Sequence, residues 1–206
     1  MADSAPRIHA TKQALLDTVD TMLDTVPFDE VTSEAVLKAS GVSRGSMYHF
    51  FDDVDDLLEQ VTTLRYSRWV DESIKGLQWV LDTADDAAAF AANLHAVSDV
   101  IHDHSSPELR AERAAVLVRA TSSPRLHSRI ATEQHRLTVA MSAVVAGGQS
   151  RGWINPTLDA YATGVFVQAY TIGRILNDVD EVTVGKADWN SIVRQFIDRV
   201  VLHVPD

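Results

Sequence analysis

The stretch Ser43-Arg44-Gly45-Ser46-Met47-Tyr48-His49 places a guanidinium, a phenol, an imidazole and two hydroxyls within seven residues. Donors of these kinds suit a phosphodiester backbone and the edges of bases. Arg44 can pair with guanine or with phosphate and Tyr48 with phosphate, while Gly45 permits close backbone approach. A second titratable cluster, His102-Asp103-His104, sits at the expected end of a helix. It can hold a metal only if the backbone bends to aim both imidazoles at one point. No third ligand can be named for it, although Glu108 is near, and histidines at a helix C-terminus are favourable without any ligand. His127 and His135 are eight residues apart and need not converge.

Other chemistries lack their residues. There is no cysteine, which excludes a disulfide framework, a zinc-thiolate site and a thiol nucleophile. There is no glycine-rich phosphate loop and no His-Glu-x-x-His. Gly45-Ser46 lacks the frame of a nucleophile elbow. A protein that binds rather than catalyses, with neither cofactor nor metal, is expected.

The elements that must position the stretch are helices. Helical periodicity dominates and no region alternates like a strand, so the fold class is all-α with about nine helices. The first is expected from about Arg7 to Thr25, with Ile8, Leu15, Leu16, Val19, Met22 and Leu23 as its apolar stripe and Pro27 as its stop. Thr32 can cap a short second helix, Ser33 to Ala39, and Gly41 suits the left-handed turn after it. Ser43 then caps a third short helix through Phe50, which Val42, Met47 and Phe51 can anchor. Two short helices joined by such a turn have helix-turn-helix spacing. Thr32, Ser33, Ser43, Arg44, Gly45, Ser46, Tyr48 and His49 are left to face a groove, with free helix-end amides available to phosphate.

A fourth helix is expected from Asp52 or Asp53 to about Gln78. A fifth opens at Thr83 with Asp86 as a capping box, and two more open at Ser106-Pro107 and Ser123-Pro124. Gly147-Gly148 and Gly152 should end the seventh. The eighth should run from Asn155-Pro156 to about Asn177, and the ninth from about Ala187 to His203.

Charge argues against a polyanionic partner. The formal net charge is −11 over 206 residues, and residues 1–60 hold four basic side chains against twelve acidic ones, a net −8. Five of those acids, Asp52, Asp53, Asp55, Asp56 and Glu59, follow the third helix directly. At the positive N-terminus of the fourth helix they are favourable. They are expected to be spent there and on solvent, away from the groove. The competing reading is a helical dimer whose acidic head binds a protein partner instead of DNA. The potential over Arg44, Tyr48 and His49 separates the two.

The segment TSEAVLKASGVSRGSMYHFFDDVDDLL resembles the DNA-binding segment of the tetracycline-repressor (TetR) family of bacterial transcription regulators. The Thr opening the second helix, the Ala-x-Gly-Val-Ser turn, the Gly-Ser-Met-Tyr-His-Phe-Phe helix and the following Leu-Leu carry the likeness over about residues 8–60. It implies a helix-turn-helix head, residues 1–52, and a ligand-binding and dimerisation body, residues 53–206. It further implies a cytoplasmic homodimer that binds a palindromic double-stranded operator and releases it when a small organic effector binds the body. Two positions depart from the family pattern. Val54 stands where a phosphate-contacting Lys is common, and Ser33 where an apolar residue is usual. Both point to weakened DNA affinity and a shallow salt dependence.

In the body, Leu158, Tyr161, Val165, Ala169 and Ile172 on the eighth helix and Trp189, Ile192, Val193, Phe196 and Val200 on the ninth are the expected dimer face. Small residues at Ala162, Gly164, Ala169 and Gly173 would let helices approach closely. Trp69, Trp79, Phe90, Leu94, His95, Val118, Met141, Phe166 and Tyr170 are candidates to line a pocket for a largely apolar ligand, although aromatics and Met on helices serve as core more often than as pocket. The N-terminus has no signal-like apolar stretch, and no run of about 18 apolar residues is present. A soluble cytoplasmic protein is therefore expected, with no membrane association.

Overall fold

The computed structural model describes residues 5–104 and 106–202, with side chains described for 10–101 and 106–202. Every regular element among the described residues is a helix, and their one β pairing is an isolated antiparallel bridge, Ile154 to Leu202. The chain runs α1 (Ala5–Met22), a 3₁₀ turn (Phe28–Glu30), α2 (Ser33–Ser40), α3 (Arg44–Phe50), α4 (Val54–Asp82) and α5 (Ala87–His104). It continues with α6 (Pro107–Ala120), α7 (Pro124–Ser150), α8 (Ala160–Gly173), the short α9 (Ile175–Asp178), α10 (Lys186–Phe196) and a π turn (Ile197–Val201). None of these helices is long and apolar enough to cross a membrane.

Two compact units share these helices. One comprises the residues up to Ser67 together with Ala120–Ile130, and the other Arg68–Arg119 with Ala131–Asp206. In the first, Leu15 and Val19 of α1 close on Val36, Met47, Phe51, Leu57, Leu58 and Val61, all essentially inaccessible. In the second, Val80, Phe90, Val144, Val145, Ile154 and Val201 form the core. The stripe expected on α1 is buried at Leu15 and Val19, whereas the side chains of Arg7 and Ile8 lie outside the described residues, as do those of His102, Asp103 and His104.

Several boundaries differ from expectation, each for a local reason. α1 ends at Met22 rather than Thr25, because the amides of Thr25 and Val26 both fold back onto the Met22 carbonyl. α4 runs on to Asp82. Thr83 belongs to its end, donating to the Trp79 carbonyl, so Asp86 rather than Thr83 caps α5, accepting the Ala89 amide at 2.8 Å. α7 passes through Gly147 and Gly148. At Gly148 a Cβ would come within 2.8 Å of Ile154 and 3.2 Å of Phe90, so the glycine is set by packing, not by chain termination. Gly152, at φ +73°, makes the break.

α8 begins five residues later than Asn155. Asn155 turns the chain by accepting the Thr157 amide and also bonds to the Val201 carbonyl, which leaves Asp159 to cap the helix through the Ala162 amide. It stops at Gly173, with α9 as a separate short turn. The last helix changes to π geometry at Ile197, and its expected end at His203 lies outside the described residues.

Candidate nucleic-acid interface and ligand cavity

The helix-turn-helix is built by caps and a single left-handed residue. Thr32 Oγ1 accepts the Ala35 amide at 3.2 Å and starts α2. Gly41 ends it at φ +66°, ψ 10°, a conformation that penalises any Cβ. Ser43 Oγ accepts the Ser46 amide at 3.1 Å and starts α3. Met47 and Phe51 then point inward and are almost wholly buried. The opposite side of α3 presents Arg44, Gly45 and His49 to solvent, with Tyr48 47% exposed. Ser33 and Ser46 are half-buried, and Thr32 and Ser43 are exposed. Each cap uses one first-turn amide, and the remaining first-turn amides of α2 and α3 have no intrahelical acceptor. A Cβ placed on Gly45 would meet nothing within 4 Å.

The acidic run beside this surface is organised differently from expectation. Asp52 and Asp55 are solvent-exposed, but Asp56 and Glu59 are buried, at 6% and 5% exposure. Asp53 Oδ1 caps α4 by accepting the Asp56 amide at 2.6 Å. The buried carboxylates meet two arginines of α7. Arg125 reaches Asp53 at 3.0 Å and Glu59 at 3.1 Å, and Arg129 reaches Asp56 at 2.9 Å. Ser123 adds a hydroxyl donor to Glu59, and Gln60 an amide donor to Asp56.

The Arg125 hydrogen bond holds the Asp53 carboxyl below the ordinary aspartate range. Burial alone would raise Asp56, but hydrogen bonds from Arg129, Gln60 and the Asp52 amide outweigh it, and the net shift is downward. Arg65 of α4 pairs with Asp20 at 2.6 Å and with Asp24 at 2.6 Å. These three arginines bring the unit to seven basic against twelve acidic side chains, a net −5 where residues 1–60 alone give −8. Sequence reasoning missed Arg125 and Arg129. Their spacing of four shows only that they share a face, not which helix that face meets.

A cavity of about 470 Å³ lies in the second unit. Trp69, Glu72, Ser73, Gly76, Leu77 and Trp79 of α4 line it, with Ala96, Val97, Val100 and Ile101 of α5, Arg110 and Arg113 of α6, Gln134, Leu137 and Met141 of α7, and Gln168, Thr171 and Ile172 of α8. Of the nine expected lining residues, Trp69, Trp79 and Met141 are in this wall. The other six are not. Phe90 is buried in the core against Trp153 with centroids 5.4 Å apart, and Leu94 packs on the same cluster. His95 Nε2 lies 2.8 Å from Asp198. Val118 is 69% exposed. Phe166 and Tyr170 stack on each other at 6.0 Å, with Phe166 also against Phe196, and burial pushes the Tyr170 phenol above its ordinary range.

Within the second unit α4 and α7 run alongside each other. Arg136 bonds Asp71 at 2.6 Å, and a Cβ on Gly147 would touch Leu81 at 2.8 Å. Gln134 is therefore level with Trp69–Ser73, and Met141 with Gly76–Trp79. The cavity is polar toward the first level and apolar toward the second.

The residues expected to form a dimer face divide in the same way. Tyr161 and Val165 of α8 and Ile192 and Val200 of the C-terminal helix are 39–64% exposed, and Ala169 is exposed too. Val193, at 6% exposure, is buried inside its own unit and has no surface for a partner. Leu158 and Phe196 pack against the core, Ile172 lines the cavity, and Trp189 lies half-buried with the Arg174 guanidinium 5.6 Å from its ring. Gly164 serves the fold of one chain. A Cβ there would lie 3.2 Å from Met141 and 3.3 Å from the Thr138 carbonyl, so α8 meets α7 through it. Among the described residues no group of three His, Asp or Glu could hold a metal, while the His102-Asp103-His104 cluster lies outside them.

Comparison with known proteins agrees with this architecture. Residues 11–61 match the family described as bacterial regulatory proteins, tetR family. No curated protein matches the chain. Among solved structures, the reduced form of Escherichia coli NemR is similar at 14% identity and a TM-score of 0.68, covering 93% of this chain and 97% of that one. A transcriptional regulator from Saccharomonospora viridis in complex with choline is similar at 16% identity and 0.67, covering 95% and 100%. The ketosteroid transcriptional regulator KstR2 of Mycobacterium tuberculosis is similar at 15% identity and 0.55, covering 94% and 95%. Residues 11–61 thus resemble the helix-turn-helix segment of the tetR family, and the chain as a whole shares the all-helical fold of these solved structures.

Proposed function

We propose that the protein is a cytoplasmic, homodimeric transcriptional repressor that releases a palindromic operator when a small, largely apolar organic molecule enters the cavity. The observation that carries the reading is the pairing of two built features in one chain. One is a capped helix-turn-helix with Arg44, Gly45, Tyr48 and His49 on its open side; the other is a cavity of about 470 Å³ in the size range of small-molecule sites. In this reading Arg44 and His49 contact bases or phosphates. Tyr48, Thr32, Ser33, Ser43 and Ser46 contact phosphates, with Gly45 allowing close approach.

The exposed apolar stripe of Tyr161, Val165, Ala169 and Ile192 is the surface for a second copy. Two heads related by a two-fold axis must match successive major grooves about 34–36 Å apart. The effector acts by favouring a conformation in which that spacing is lost. α4 contributes residues to both compact units and is the expected lever.

The test is selection of purified protein on a pool of random duplexes at moderate salt, followed by sequencing of the retained fraction. Enrichment of a palindrome supplies the operator and supports the reading. A folded, dimeric protein that enriches nothing refutes it.

A further inference from the structure

We infer that the cavity takes an uncharged aromatic molecule of about two rings, lying along α4 over Gly76 between Trp69 and Trp79. This rests on the effector reading above and adds the chemical class. The wall holds three charged side chains, Glu72, Arg110 and Arg113, and each is engaged within the protein. Arg110 forms a two-pronged pair with Asp178. Glu72 accepts from Lys75 at 2.7 Å. Arg113 lies with its guanidinium 4.4 Å from the centre of the Trp69 ring. Amides and hydroxyls of the wall are committed in the same way. Gln168 donates to Thr138 Oγ1 at 2.9 Å and to the Gly164 carbonyl at 3.1 Å, and it accepts from Gln134. Ser73 donates to the Trp69 carbonyl at 2.9 Å and Thr171 to the Val167 carbonyl at 2.8 Å, each on its own helix. A carboxylate or an ammonium entering here would give up its hydration and meet no waiting counter-charge, whereas an uncharged molecule loses little.

The contour of the wall sets the body of the molecule. Trp69, Ser73, Gly76 and Trp79 stand on successive turns of α4, so one helix face offers two small residues between two indoles. A Cβ at Gly76 would meet nothing within 4 Å, whereas at Gly147, Gly148 and Gly164 it would crowd neighbouring atoms. Glycine inside a helix is unfavourable relative to alanine, and packing within the chain gives no reason for it at position 76. A ligand lying against bare α4 backbone supplies one. The indoles favour an aromatic partner over saturated rings of the same area, and the Met141 thioether favours the edge of an aromatic ring. Scaled from a cavity of about 150 Å³ that accepts one benzene, the volume of about 470 Å³ has room for roughly three such units. Two rings with a small neutral substituent fit that space.

The experiment uses the full-length protein and reads calorimetry and thermal unfolding. The probes are 2-naphthalenemethanol, its fully saturated counterpart, and the two ions of matching shape, 2-naphthoate and 2-naphthylmethylammonium. The aromatic alcohol should bind roughly tenfold or more tightly than either ion, and about threefold to tenfold more tightly than the saturated alcohol. Trp79→Leu should bring the two alcohols to similar affinity while binding persists. Gly76→Ala should raise the unfolding midpoint of the ligand-free protein by roughly 2–4 °C, yet weaken the aromatic alcohol by roughly fivefold or more, since its methyl occupies the seat. An ion binding as well as the aromatic alcohol, a saturated alcohol binding as well, or no binding of the aromatic alcohol would each overturn the inference. So would a Gly76→Ala variant that is stabilised and binds the aromatic alcohol as the native protein does. Release of the selected operator is measured separately. An aromatic alcohol that binds by these criteria without releasing DNA leaves the aromatic seat standing and removes the effector reading. Its failure to bind removes the seat and leaves DNA binding untouched.

Discussion

Arg129→Met tests whether the acidic run of α4 is held by α7 or merely tolerated by solvent. In the native chain Asp56 is 6% exposed and accepts from Arg129 at 2.9 Å, from Gln60 at 3.2 Å and from the Asp52 amide at 3.2 Å. Methionine keeps the apolar stem of the side chain and removes the charge. Breaking a fully buried pair costs about 3–5 kcal/mol. Two features reduce that here. The Arg129 side chain is 30% exposed, and Asp56 keeps two donors after the substitution. A loss of about 1–3 kcal/mol follows. With a urea slope of about 1–3 kcal/mol/M, the unfolding midpoint should fall by about 1 M.

The pH dependence has a definite sign. Asp56 is held below the ordinary aspartate value of 3.8, so its contribution is fully present above that value and is lost as pH falls through the lower folded-state value. In the variant the buried carboxylate has lost its cation, and its folded-state value rises. The variant therefore gains stability as pH falls from neutrality toward 4, and its gap to the native protein narrows. Urea melts at neutral pH and near pH 4.5 measure this. Adding Asp56→Asn to Arg129→Met should recover much of the loss at neutral pH. A gap that stays constant with pH, or a double variant no better than the single one, would refute a buried Asp56–Arg129 pair.

The remaining predictions address DNA, dimer and packing. Arg44→Ala should weaken binding to the selected operator by about 1–3 kcal/mol and relax preference at one base position if Arg44 reads a base; a uniform loss across sequences would mark it as a phosphate contact instead. Gly45→Ala should leave the melting curve within about 0.5 kcal/mol of native while lowering operator affinity, because the free surface at Gly45 is open. Ile192→Glu places a charge on the exposed C-terminal stripe, and sedimentation should then show monomer together with lost operator binding. Gly148→Ala should destabilise by about 1–3 kcal/mol in a urea melt, since its Cβ would fall 2.8 Å from the buried Ile154. Binding to random duplexes should depend only shallowly on salt, because few Lys or Arg side chains are available to neutralise phosphates and release counterions.

What could be read from the sequence follows from how local each feature is. The caps at Thr32 and Ser43 and the left-handed Gly41 depend on residues within four positions, and the sequence shows them directly. The inward Met47 and Phe51 follow from helical period alone. The cavity is the opposite case. Five helices line it, and its wall mixes residue types that no single period selects. Phe90 and Trp79 look alike as aromatics on helices, yet Phe90 closes the core over Gly148 and Trp79 opens onto the cavity. Gly147-Gly148 looks like a helix end because glycine terminates helices in isolation, but tertiary crowding keeps both inside α7.

The acidic run shows why net charge is a poor guide to where charge acts. A count over residues 1–60 treats every carboxylate as equally able to repel a phosphate. Burial removes Asp56 and Glu59 from that role, and Arg125 and Arg129 offset their field at contact distance. The acids left to oppose a polyanion nearby are Asp55, exposed, and Asp52 and Asp53, both exposed and both within ion-pair reach of Arg125. Each acts through water with a Debye length of about 8 Å at physiological salt. Such charges would weaken encounters with DNA of any sequence, whereas the hydrogen bonds proposed for Arg44 and Tyr48 would act at contact distance and be little screened. For a regulator that must reject non-specific DNA, acids beside the reading helix lower the background more than they lower the specific signal.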